Sequence, residues 1–92
     1  MVEQKQLEQL LLNLLEPGVE KTTAQLVEEL RMEYPRQWRE LKREGEQLFG
    51  ASCGATQQPA TRVTQALFDL YAKKRCSRRK DGEYWWSLRQ ED

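Results

Sequence analysis

The dipeptide Asp81-Gly82 constrains this chain more than any other feature, because it sits between residues 75–79 and residues 84–88. Asp-Gly closes tight hairpins, since glycine takes a positive φ at no steric cost. The flanking runs read as two short strands, the second rich in aromatic residues. A two-residue loop would set Cys76 opposite Ser87 and away from Trp86 and Leu88. A three-residue loop, with Gly82 at positive φ, gathers Cys76, Trp86 and Leu88 on one face. A one-residue slip exchanges the faces of a strand, so the loop length decides what is buried. The odd loop is expected, because it collects the apolar residues.

Everything before the hairpin has helical period. Leu7, Leu10, Leu11, Leu14 and Leu15 follow i, i+3, i+4, i+7, i+8, one stripe of a helix over about 3–15 that Pro17-Gly18 stops. Residues 19–21 form a short extended link. Thr22-Thr23-Ala24-Gln25 reads as a capping box, with Thr22 accepting from the third amide and Gln25 reaching back. Ala24, Leu26, Val27 and Leu30 then predict a helix over 23–33. Tyr34-Pro35 breaks it and suits the first turn of another, over 35–48, with Trp38, Leu41, Gly45 and Leu48 aligned. Residues 51–58 (ASCGATQQ) have no period and read as a loop. Pro59 opens a fourth helix, 59–74, with Val63, Ala66, Leu67, Leu70 and Tyr71 inward.

With 92 residues the chain is expected to be one domain with one modest core. Three Trp, three Tyr and two Phe supply the bulk for it. Fifteen basic residues balance fifteen acidic ones, but unevenly. Residues 1–34 hold three basic against seven acidic side chains, and residues 59–92 hold eight against five. The chain is neutral yet polarised. It has no histidine, which excludes Ser-His-Asp and Cys-His machinery and histidine-ligated zinc. Cys53 and Cys76 make at most half a zinc site. Cys53 has no neighbour in sequence to activate a thiol, and the acidic residues form no persuasive acid–base pair. No enzyme, cofactor or metal is expected. There is no membrane-length apolar run, and the acidic, amphipathic first ten residues are unlike a signal peptide. The expectation is a cytoplasmic protein with reduced cysteines.

The order of helix, capped helix, further helix, helix and basic hairpin resembles winged-helix domains, most plainly over residues 59–88. In that family a helix spaced like Val63, Leu67 and Leu70 leads into a strand, a turn like Asp81-Gly82 and an aromatic return strand like residues 84–88. Residues 22–30 look like the first helix of the helix-turn-helix pair, and residues 19–21 like the short first strand. The resemblance implies a mainly α fold with a small β-hairpin, a winged helix-turn-helix of four helices plus a C-terminal β-wing. One departure is plain: a whole helix separates the two helix-turn-helix helices. An alternative threading makes residues 35–48 the recognition helix, with Arg36, Gln37, Arg39 and Arg43 outward.

The function implied is binding of duplex DNA, as in a transcriptional regulator. Thr61, Arg62 and Gln65 fall opposite the apolar stripe of the fourth helix, with Thr64 at its margin, in the turns a recognition helix inserts into the major groove. Lys73 and Lys74, with Arg78, Arg79 and Lys80 on the hairpin, would hold phosphates, or merely protect a strand edge. Trp85 and Trp86 point to opposite faces. Trp86 is expected in the core, and Trp85 either offers a stacking platform or packs over arginine stems. Phe68 is expected to cover the core against the 35–48 helix. Rival readings are a protein-interaction module, self-association through the leucine face of the first helix, and a single-strand binder using Trp85.

Overall fold

The computed structural model describes residues 2–50 and 53–89, with side chains given from Gln57 onward in the second span. The architecture is mainly helical with a small three-stranded antiparallel sheet. In chain order it comprises α1 (Gln4–Leu14), β1 (Lys21–Thr22), α2 (Thr23–Glu33), α3 (Pro35–Phe49), α4 (Cys53–Ala72), β2 (Cys76–Asp81) and β3 (Glu83–Leu88).

Local chemistry explains most of these boundaries. The Thr22 hydroxyl accepts from the Gln25 amide at 3.1 Å and fixes the start of α2. Pro35 occupies the first turn of α3, where its missing N–H costs nothing. Gly50 ends α3 at φ +65. In the hairpin, Cys76 pairs with Leu88, Arg78 with Trp86 and Asp81 with Glu83 around Gly82 at φ +73. This is the odd register, and it places Cys76, Trp86 and Leu88 on one face.

β3 is the middle strand, in the order β1-β3-β2, with Lys21 opposite Trp86 and Thr22 opposite Trp85. The buried side chains form one cluster. α1 contributes Leu7, Leu11 and Leu14, α2 Leu26 and Leu30, α3 Leu41, and α4 Val63, Ala66, Leu67 and Leu70. Cys76 and Trp86 close it from the sheet side, and the Trp86 indole donates to the Thr23 hydroxyl at 2.8 Å. α4 packs at once against α1, α2, α3 and β2. It is the spine of the molecule, and its twenty residues span about 30 Å. The molecule is correspondingly elongated, 46 × 26 × 23 Å.

Two expectations are corrected here. Residues 53–58 are the first turns of α4, not a loop, and Pro59 lies inside the helix, fully buried. Proline inside a helix removes one hydrogen bond and costs about 3 kcal/mol. Packing along α3 offsets this: Pro59 enters the core, and Gln58 beside it donates to Glu44 at 2.7 Å. The helix also stops at Ala72 instead of residue 74, because Lys74 turns into the left-handed region at φ 62. Phe68 packs on the core, edge-on against Tyr84 and Trp86 of the hairpin at 5.6 Å from each.

The link before α2 hides a further feature. Lys21 is buried, and its ammonium donates to the Leu14 carbonyl at 2.7 Å and to Glu29 at 2.6 Å. Burial lowers its pKa, but the carboxylates of Glu29 and Glu16 outweigh this and hold it above its ordinary value. Lys21 thus joins the end of α1 to α2.

Candidate nucleic-acid interface

The residues singled out on α4 and the hairpin meet different fates once the chain is folded. On α4, Thr61 and Gln65 are exposed and Thr64 half-buried. The Thr64 hydroxyl donates to the Ala60 carbonyl at 2.8 Å, a bond inside the helix. The Gln65 amide donates to Asp69 at 3.2 Å, and Gln4 of α1 donates to the other oxygen of Asp69. The outward face in the middle of α4 therefore sets Thr61 and Gln65 beside the carboxylate of Asp69, which two neutral amides hold.

Arg62 does not belong to that face. Its guanidinium reaches across to α3 and donates to both oxygens of Glu44 at 2.6 Å, and to the Val2 carbonyl at 2.7 Å. The ion pair is sheltered, with side-chain exposures of 18% for Arg62 and 5% for Glu44. Burial pushes the Glu44 carboxyl up, yet the bonds from Arg62 and Gln58 prevail and hold it below its ordinary value. Arg62, expected to read a base, has its donors directed to α3 and the N-terminal segment.

The cations farther along divide in the same way. Lys73 donates to Glu8 of α1 at 2.8 and 3.2 Å. Arg79 is held by Glu20 at 2.9 and 3.1 Å and by Asp81 at 3.3 Å. The bond to Glu20 is the main cause that raises the Arg79 pKa. Arg78 has no carboxylate beside it among the described residues. Its guanidinium carbon lies 4.1 Å from the Tyr71 ring centre, 4.8 Å from Tyr84 and 5.5 Å from Phe68, an aromatic cage. Lys74, Arg75 and Lys80 are exposed and form no ion pair among the described residues.

Trp85 is half-buried on the opposite face of β3 from Trp86. Arg79 stands 5.6 Å from its ring, and its indole donates to the Asp81 carbonyl at 3.4 Å. Of the two readings of Trp85, the arrangement is the one in which it packs over an arginine. On α3, Arg36, Arg39 and Arg43 are exposed, while Gln37 is half-buried. The Cys53 side chain lies outside the described residues.

Sequence reasoning missed the partners rather than the cations. Glu8, Glu20 and Glu44 each neutralise a basic residue between 18 and 65 positions away. No periodicity within one element signals such a pair. Among the described residues there is no cluster of metal-ligating side chains, and no helix is long and apolar enough to cross a membrane.

No family model matches the chain, and no curated protein or solved structure matches it either.

Proposed function

We propose that this chain is a non-enzymatic, winged-helix-like domain that binds duplex DNA. The supporting observation is the strand order β1-β3-β2 closed by a hairpin that leaves α4 after three residues. In that placement α4 is the helix that presents Thr61 and Gln65, in the middle of its length, and the β2–β3 hairpin is the wing. Thr61, Thr64 and Gln65 would meet base edges, where threonine and glutamine can bond bases or touch a thymine methyl. Lys74, Arg75 and Lys80 would hold phosphates. A regulator of transcription is the biological role this suggests.

The assignment is tested with three variants measured against a random 20-base-pair duplex by fluorescence anisotropy. Thr61→Asp with Gln65→Glu places two negative charges on the α4 face and abolishes binding. Lys80→Gln weakens it severalfold. Neutralising Arg36, Arg39 and Arg43 together leaves most of it. Loss of binding in the α3 variant with retention in the α4 variant would move the interface to α3, as the alternative threading has it.

A second reading has its own observation. The internal pairing of Arg62, Lys73 and Arg79, together with the zero net charge, weakens the field that draws a protein to DNA. It favours a protein-interaction module built on the same architecture. Absence of duplex binding at low salt by a folded protein would select that reading.

A further inference from the structure

A groove of about 520 Å³ opens where α4 passes into β2, lined by Tyr71, Lys74, Ser77, Arg78 and Arg89 around the buried Cys76. Its lining among the described residues contains three cations and no carboxylate. Arg78 is fixed there by the rings of Tyr71, Tyr84 and Phe68. Neutral rings hold a guanidinium without cancelling its charge, so Arg78 stays a net positive group where Arg62 and Arg79 do not. Arg89 donates to the Lys74 carbonyl at 3.2 Å, which brings the third cation to the same rim.

Lys74 itself carries a second signal. It is the one non-glycine at positive φ among the described residues, at 62°. Its amide is bonded to the Tyr71 carbonyl, and the next amide to Leu70, so the turn that ends α4 needs this conformation. Glycine or asparagine fills such a position at lower cost. A lysine there costs local stability and gains only what its side chain does. Tyr71 is 42% exposed and lines the groove, with the Arg78 guanidinium over its ring.

We propose that this groove binds a nucleotide, with its phosphate among Lys74, Arg78 and Arg89 and its base against the exposed Tyr71 side chain. Arginine forks match phosphate oxygens in pairs, aromatic rings stack on any base, and the volume lies in the range of small-ligand sites. The shared chemistry is a phosphate monoester beside a base, supplied either by a free mononucleotide or by the 5′ end of a strand. The groove goes beyond duplex binding. Lys74 is common to the two surfaces, whereas Tyr71 and Arg89 belong to the groove alone.

The test is a titration of the isotope-labelled protein by NMR with AMP, adenosine, inorganic phosphate and a 5′-phosphorylated trinucleotide. AMP is expected to shift the amides of residues 71–78 and 89 saturably, with adenosine about tenfold weaker or worse. Arg89→Gln is expected to weaken AMP about tenfold, and Tyr71→Ala to weaken AMP but not inorganic phosphate, both with duplex binding unchanged. Lys74→Gly is the decisive variant: AMP binding falls while the melting temperature stays or rises, since glycine relieves the strained turn. A trinucleotide tighter than AMP assigns a strand end, and equal affinity assigns the free nucleotide. Saturation by adenosine as tight as by AMP, wild-type affinity in Lys74→Gly and Arg89→Gln, no saturable shift with AMP, or tighter binding of a phosphotyrosine peptide would each overturn the proposal.

Discussion

Glu44 is a carboxylate with 5% of its side chain exposed, and it stays ionised because Arg62 and Gln58 both donate to it. A buried charge that loses its partner costs about 3 kcal/mol or more. Glu44→Ala is therefore expected to destabilise the protein by about 3 kcal/mol at pH 7, measured by urea unfolding. The sign of the pH dependence follows from the depressed pKa of Glu44. Its stabilising contribution is complete above the ordinary value of 4.5 and is lost as pH falls through the lower folded value. The wild type should thus lose stability in that acid window, and Glu44→Gln should lose less. A slope unchanged by Glu44→Gln would contradict this. The Cys76 thiol gives a second residue-scale test. Burial raises its pKa to about 11, so in a Cys53→Ser background it should resist a thiol reagent at pH 8 until the protein unfolds. Prompt labelling of the native protein would refute its place in the core.

At the scale of elements, the hairpin turns on Gly82. Nothing lies within 4 Å of where a Cβ would stand, so the cost of Gly82→Ala is that of positive φ alone, about 1 kcal/mol. Gly82→Asn should cost less, and thermal unfolding ranks the two. Much of this level was legible in the sequence. The leucine stripe, the Thr22 cap and the Tyr34-Pro35 break are local signals, and each marks its element to within about a residue. The odd hairpin register was readable because only one loop length puts Cys76, Trp86 and Leu88 together. The start of α4 was not legible, because proline and glycine near residues 53–59 argue locally against helix. What overrides them is contact with α3, which is non-local. The same holds for the site. A helical wheel sets Arg62 off the apolar stripe, but a long guanidinium can turn back to a carboxylate on a neighbouring helix. Thr61 and Gln65 are short enough to stay where the wheel puts them.

Across the whole molecule, the polarity of the sequence is largely consumed by folding. Acidic residues of the first half meet basic residues of the second at Glu8–Lys73 and Glu20–Arg79. These contacts are surface-exposed on one side or both and add little stability each, but they decide which cations remain for a partner. The seven basic residues between positions 62 and 80 reduce to Lys74, Arg75 and Lys80, with Arg78 caged at the groove. Salt dependence counts this number directly, since each phosphate neutralised contributes about −0.9 to the slope of log affinity on log salt. The measurement is a salt series of anisotropy binding to a random 20-base-pair duplex. Binding is expected to be weak at low salt with a slope of about −3, set by the three exposed cations of the proposed interface, Lys74, Arg75 and Lys80. A slope near −6, with every basic residue of 62–80 engaged, would contradict the internal pairing. No binding at the lowest salt would contradict DNA recognition itself.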